Sequence, residues 1–275
     1  MIKDWETLYE VRGPKSIMEM TAPEMREAMK ETDIVILSFS AIENHAAHLP
    51  IGSDYFQALM LIRAVYEGLL DLGIKSVPGF AIPLGVDTNH FERDDLFGNV
   101  PLHQSTFIAV VKDLVLGLKK NGFNRFVLCM NHCENNAALH VAAKDLAEDH
   151  GIESVVADWV PPMNDFWPTV CVNAEHQGHG GEDETACVLA ATPKLVKAEN
   201  TPPYYYDEPT MEVKMSGLHY YGGAVGVYCP VRKDVTPGYI GNPSDATAET
   251  GVKCYEAYGA WIAKVVQKYL VNRMK

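Results

Sequence analysis

Long apolar stretches are missing from this 275-residue chain. No run of about 18 apolar residues occurs, so no membrane-spanning helix is expected. Basic charge is scarce too: 23 Lys and Arg stand against 36 Asp and Glu, a formal net charge of −13. So acidic a chain lacks the electrostatic footprint of a nucleic-acid binder. Its one mild basic cluster, Lys268, Arg273 and Lys275, reads as a solvated helix end. The opening Met1-Ile2-Lys3-Asp4-Trp5-Glu6 has no apolar core of signal-peptide type. The six cysteines, at 129, 133, 171, 187, 229 and 254, form no CxxC pair, which argues against a zinc ribbon. They sit in apolar segments such as Phe126-Val127-Leu128-Cys129 and read as buried, reduced thiols of a cytoplasmic protein. No repeat, low-complexity stretch or clear linker breaks the chain, and 1–275 is expected to be a single domain.

What is present fits a globular protein: 47% of residues are apolar and 21% charged, so disorder is not the default. Residues 33–39, Asp-Ile-Val-Ile-Leu-Ser-Phe, form a short β-branched run that reads as a buried strand. Helical spacing follows over 55–72 (Phe56, Leu59, Met60, Ile62, Val65, Leu69, Leu70), with Ser53 or Asp54 as N-cap and Gly73 to stop it. The alternation continues with a strand at 75–82, a helix at 103–120, a strand at 124–130, a helix at 136–149 and a strand at 153–157. Later come helices at 182–191 and 246–272, with a strand at 223–229 between them. The stretch 159–178, rich in Pro, Asn and Trp, reads as a long functional loop. Alternating strands and helices predict an α/β fold with a largely parallel sheet covered on both faces.

Ligands of such folds sit beyond the C-terminal ends of the strands, where the two densest clusters of candidate metal ligands fall. After 33–39 come Glu43-Asn44-His45 and His48-Leu49-Pro50-Ile51-Gly52-Ser53-Asp54. After 124–130 comes Asn131-His132-Cys133-Glu134-Asn135. Residues two apart in an extended segment share a side, so Glu43 with His45, and His132 with Glu134, can each face one site. Asp54, at a helix start, can turn its carboxylate back toward it. A catalytic metal needs about three protein ligands and an open position. Two imidazoles and three carboxylates suit two divalent ions per chain if one carboxylate bridges. Mixed nitrogen and oxygen donors fit zinc, manganese or iron better than calcium or copper. On spacing alone, solvated or hydrogen-bonded structural groups explain these residues equally well.

The segment from Ile42 to Asp54 and the block Asn131-His132-Cys133-Glu134-Asn135 resemble blocks of the creatininase (creatinine amidohydrolase) family. So does His179-Gly180-Gly181-Glu182-Asp183-Glu184-Thr185, which is similar to the family's H-A-G-x-x-E-T. A weaker match is Gly241-Asn242-Pro243-Ser244-Asp245-Ala246-Thr247-Ala248-Glu249. The resemblance implies a three-layer α/β/α sandwich, a two-metal hydrolase and a hexamer of identical chains. Carried over by position, Glu43, Asp54 and His132 hold one metal, and His45, Asp54 and Glu134 the other. Glu134 thus belongs to the catalytic set, His179 donates or shuttles a proton, and Glu184 supports it.

Certain positions depart from the family. Ser38-Phe39-Ser40-Ala41-Ile42-Glu43 lacks the Pro and Gly of P-x-G-S-x-E. Where creatinine-cleaving members have a Trp four residues before the catalytic His, this chain has Glu175, which points to a polar substrate. His90 and the rings of Trp159 and Trp167 are further substrate-side candidates, with core packing the alternative for the tryptophans. His48 is expected to brace its loop, and His103, His140, His150, His176 and His219 to be surface or structural. The leading expectation is a metal-activated hydroxide that opens a small polar ring at the C–N bond of a cyclic amide or amidine. Alternatives are ring opening of an oxidised inositol (a 3-dehydro-scyllo-inosose-type diketo-inositol), deformylation of a formamide, or a non-catalytic metal-binding protein of the same fold. A zinc nucleoside deaminase, suggested by His132-x-Glu134, is set aside because P-C-x-x-C is absent.

Overall fold

A computed structural model describes residues 13–86, 97–158, 160–174, 177–205 and 238–273. Four strands, β1 (Ile34–Phe39), β2 (Val77–Ile82), β3 (Arg125–Met130) and β4 (Glu153–Asp158), form one parallel sheet in the order β2-β1-β3-β4. Leading into β1 is α1 (Ala22–Glu31), started by a reciprocal cap between Thr21 and Glu24. The crossovers are α2 (Ser53–Asp71) from β1 to β2, α3 (Gln104–Asn121) from β2 to β3, and α4 (Asn136–His150) from β3 to β4. The helices α5 (Val160–Val170), α6 (Glu182–Ala191) and α7 (Ala248–Val266) follow, α7 running into a π-turn at Gln267–Val271. Both α3 and α4 end on a glycine in the left-handed region, Gly122 at φ 114° and Gly151 at φ 63°.

Strand alternation splits the core in two. Ile34, Ile36, Val127 and Cys129 face one side, where Leu61 and Val65 of α2, Cys187 of α6 and Ile262 of α7 cover them. Val35, Leu37, Phe39, Phe126 and Leu128 face the other, under Phe107 and Val111 of α3 and Leu139 of α4. The result is the expected three-layer α/β/α sandwich. Strand order reverses between β1 and β3, the place where open α/β sheets bind ligands.

Several expectations shift. Gly52, not Ser53 or Asp54, is the N-cap of α2, and Asp54 lies in the first turn. The stretch 159–178 is not one long loop: it holds α5. Two of the prolines that argued against a helix, Pro161 and Pro162, fall in the first turn, where no N–H bond is lost. The third, Pro168, falls near the end. The helix expected over 246–272 is the shorter α7 plus the π-turn. The strand expected at 223–229 lies outside the described residues. No helix among the described residues is long and apolar enough to cross a membrane.

Close backbone approach holds α7 in place. A Cβ on Gly251 would come within 2.0 Å of the Ala186 carbonyl of α6, and one on Gly259 within 2.2 Å of the Ala64 carbonyl of α2. Gly117 in α3 has nothing within 4 Å. Gly259→Ala should therefore cost about 1–3 kcal/mol by overpacking. Gly117→Ala should stabilise by about 0.5–1 kcal/mol through helix propensity. Urea unfolding of the two variants checks both signs.

Candidate metal centre

The loop leaving β1 is tied down before it reaches the site. Ser40 donates through both N–H and Oγ to the Ile82 carbonyl at the end of β2. Glu43 N–H donates to the Ile51 carbonyl at 3.0 Å. Asn44 Oδ1 accepts Ala46 N–H at 2.8 Å, and Ala46 takes a left-handed φ of 60°. This sharp turn leaves Glu43 and His45 side by side. Ser53 Oγ, bonded to the Pro50 carbonyl at 2.6 Å, fixes the start of α2.

Glu43, His45, Asp54 and His132 are 0–6% exposed and converge. Asp54 stands between two imidazoles: its Oδ1 is 3.2 Å from His45 Nε2 and its Oδ2 3.0 Å from His132 Nδ1. Glu43 Oε2 is 3.2 Å from His132 Nδ1, and its Oε1 is 3.6 Å from His179 Nδ1. Glu184 Oε2 is 3.4 Å from His45 Nε2. Among the described residues, three groups could each hold a cation: Glu43–Asp54–His132, His45–Asp54–Glu184 and Glu43–His45–His179. His45 Nε2 and Asp54 Oδ2 are buried without an aligned hydrogen-bond partner despite these short contacts. Buried nitrogen and oxygen atoms that approach one another without an aligned hydrogen bond fit ligands arranged around a common ion.

A backbone carbonyl fixes each ring. Carbonyls only accept, so His45 Nδ1 donates to Glu43 O (3.1 Å), His132 Nε2 to Val86 O (2.8 Å) and His179 Nε2 to Asn44 O (2.8 Å). The other nitrogen of each ring turns toward the carboxylates. Burial alone would lower the pKa of His45 and His132. The carboxylates of Asp54 and Glu184 around His45, and of Glu43 and Asp54 around His132, outweigh it and hold both well above the usual histidine value. Burial likewise opposes ionisation of Asp54, but the two imidazoles keep its pKa low. In the metal-free protein, protons on His45 and His132 thus balance the carboxylates, and a bound cation would displace them. His179 differs: burial dominates, outweighing Glu43, and lowers its pKa. Its ring stacks on His45 at 4.2 Å.

His179 sits on a closely held turn. Its carbonyl accepts Ile240 N–H at 2.8 Å, Gly180 N–H donates to Glu184 Oε2 at 2.7 Å, and Gly181 N–H donates to the Gly178 carbonyl at 2.7 Å. Gly180 takes φ 62°, and a Cβ there would lie 2.8 Å from Tyr239 Cβ. Buried Glu182 accepts N–H bonds from Val172 and Asn173, which pins the chain before the turn. His48 donates Nε2–H to the Gly180 carbonyl at 2.8 Å, so it braces the β1 loop against this turn.

Of the sequence candidates, Glu43, His45, Asp54, His132, His179 and Glu184 come together. Glu134 is half-buried on a 3-10 turn, Cys133–Asn135, and belongs to none of the three convergent groups, whereas Glu184 stands beside His45. Trp167 is 3% exposed and packed in the core that Met163 and Cys187 share. His90, Trp159 and Glu175, like His176 and His219, lie outside the described residues. His103, His140 and His150 are exposed. Cys129, Cys187 and Cys254 are buried and free. Nothing in the residue pattern marks the orienting carbonyls of Glu43, Val86 and Asn44, because every residue carries one.

Burial lowers the His48 pKa to about 4. A histidine of pKa about 6.5 when unfolded takes up protons more readily there, so its contribution to stability falls as pH drops from about 6.5 to 4. His48→Gln keeps a donor for the Gly180 carbonyl and removes this titration. Its stability deficit relative to the native protein, measured on metal-free samples, should shrink by up to about 3 kcal/mol over that interval. A deficit independent of pH would contradict a neutral, buried His48.

Comparison with known proteins adds three findings. The creatinine amidohydrolase family profile (Creatininase) matches residues 18–266. A 3-dehydro-scyllo-inosose hydrolase of Thermotoga maritima is 22% identical over 262 residues, 90% of this chain and 81% of that protein. A creatinine amidohydrolase of Pseudomonas putida is 25% identical over 191 residues, 65% of this chain and 72% of that one. Among solved structures, a proposed creatinine amidohydrolase from Bacteroides fragilis superposes with a TM-score of 0.68 at 21% identity, over 86% of this chain and 89% of its own. A zinc–zinc form of a creatininase variant gives 0.63 at 20% identity, and a manganese creatininase 0.64 at 21%, each over 93% of this chain and 99% of its own.

Proposed function

The chain belongs to the creatininase (creatinine amidohydrolase) family, and from that premise we propose that it opens a small polar ring by metal-dependent hydrolysis. As a member it is a metal-dependent hydrolase. The observation that carries the reading is Asp54, whose two oxygens face His45 and His132 separately at 3.2 and 3.0 Å. A carboxylate so arranged would suit a bridge between two cations. The proposed first set is Glu43, Asp54 and His132. The second is His45 and Asp54 with Glu134, as the family blocks imply. Zinc or manganese is favoured by the donor set and by the metals of the solved relatives, with iron a further fit to the donors.

A pair of divalent ions, when bound, supplies Lewis acidity and activates water near neutral pH. The side chains do the rest. Glu43, His45, Asp54 and His132 form a dry cradle in which charges act at low dielectric. His179, held by the Asn44 carbonyl through Nε2, would take a proton at Nδ1 and return it to the leaving atom. Glu184 supports it by holding Gly180 N–H. Glu175, His90 and Trp159 remain proposed substrate contacts, whereas Trp167, packed in the core, is not one. We place the enzyme in the cytoplasm as a single-domain chain that assembles into hexamers.

Hydrolysis of a C–N bond in a cyclic amide or amidine is the leading chemistry. Ring opening of an oxidised inositol is the second reading, favoured by one observation: the inosose hydrolase matches 90% of this chain, the creatinine amidohydrolase 65%. Activity on cyclic amides and on keto-inositols, with manganese or zinc added, separates the two. Turnover of neither set would overturn both.

Metal analysis should find about two transition-metal ions per chain, and Asp54→Ala should lose both. Glu134→Gln should lose the second ion, while Glu184→Gln should keep both and lose turnover. Full metal content in Asp54→Ala would refute the bridge.

A further inference from the structure

Two asparagines flank the His132–Glu134 tract, and the chemistry above uses neither. Asn131 is 6% exposed and Asn135 fully buried. Burying an amide is favourable only when its polar atoms find partners, and these partners lie on other pieces of the centre. Asn131 Nδ2 donates to the Asp54 carbonyl at 2.9 Å, while its own N–H donates to the Phe39 carbonyl at the end of β1. Asn135 Oδ1 accepts Val86 N–H at 2.8 Å, and its Nδ2 donates to the Ser40 carbonyl at 3.1 Å.

The Val86 carbonyl is the one that accepts the His132 Nε2–H. Asn135 therefore grips the same residue whose other polar group orients the ring. Gly85 tightens this grip: a Cβ there would stand 2.3 Å from the Ser40 oxygen and 2.7 Å from Asn135 Oδ1. The segment carrying Val86 can lie this close only because residue 85 has no side chain. Asn131 does the matching work at the first turn of α2, bonding the carbonyl of the residue whose carboxylate faces His132.

We infer that Asn131 and Asn135 are positioning residues of the metal centre: two amide brackets that hold the Asp54 turn and the Val86 carbonyl at fixed distances from His132, and so set metal affinity. Neither amide touches the ion or the substrate. The His132 ring is aimed before metal arrives, so binding does not have to order it. Amides that merely fill the core would support the fold and leave the affinity of folded protein unchanged.

The inference rests on the metal-binding reading, and one titration separates their fates. Metal-stripped full-length protein is titrated with manganese by calorimetry, alongside Asn131→Ala and Asn135→Ala variants checked for folding by circular dichroism. The native protein should bind, and each folded variant should bind about 10–100-fold more weakly, the usual cost of losing a group that orients a metal ligand. Native binding with both variants within about threefold of it would overturn the brackets and leave the metal reading intact. No binding by the native protein would overturn both.

Side-chain amide exchange in the native, metal-free protein gives a reading that needs no variant. The Asn131 and Asn135 amide protons should exchange at least about tenfold more slowly than those of free asparagine, because the brackets stand before metal arrives. Exchange at the free rate would overturn the inference even if the variants failed to fold.

Discussion

An imidazole can offer a nitrogen to a cation only when something else takes the proton on its other nitrogen. At this centre that partner is a peptide carbonyl: of Glu43 for His45, of Val86 for His132 and of Asn44 for His179. A carbonyl cannot donate and cannot rotate independently of the chain, so it sets both the tautomer and the angle of the ring. The cost is that the backbone must be held to within a few tenths of an ångström. Much of the local structure follows from that need. The left-handed Ala46, the closely approached Gly85 and the bonded turn at Gly180 each fix a stretch of chain that carries one of these carbonyls or rings.

The sheet supplies the frame. β1 and β3 pair in unbroken register from Ile34↔Arg125 to Phe39↔Met130, so the loops carrying Glu43–His45 and His132 leave the sheet at the same level. They are also the strands on either side of the reversal in strand order, so no crossover helix fills the space above them. The start of α2 closes that space with Asp54 in its first turn, where the helix dipole favours a carboxylate. From the far side, α6 brings Glu184, and its position depends in turn on the glycine contact between α6 and α7. The candidate metal centre, beyond the C-terminal ends of the two central strands, is therefore coupled to a helix contact on one outer layer.

The sequence made the frame legible where one residue type dominates. The buried runs of β1 and β3 and the helical spacing of α2 need nothing beyond periodicity. The proposed ligands Glu43, His45, Asp54 and His132 are visible because i, i+2 spacing after a strand and a carboxylate at a helix start are local features. What stayed hidden is not local. Glu184 faces His45 from 139 positions along the chain, and its family block implied only support for His179. Prolines disguised α5, because composition does not tell a proline at a first turn from one in a helix interior. Asn131 and Asn135 stood in the second ligand block, yet no spacing rule reveals that their partners are Asp54, Val86 and Ser40.

The charges divide the histidines into two kinds. His45 stands within 4.0 Å of three carboxylates, those of Glu43, Asp54 and Glu184, and His132 within 3.2 Å of two; in the metal-free protein these hold protons on both rings that a bound cation would displace. His179 faces Glu43 at 3.6 Å and stacks against His45, a neighbour that is cationic when protonated. Burial and that neighbour together keep its pKa low. A ring that sheds its proton easily is unsuited to neutralising carboxylates permanently but suited to passing a proton on. The division of tasks proposed for this buried cluster thus follows the balance at each imidazole: carboxylates outweigh burial at His45 and His132, and burial outweighs them at His179.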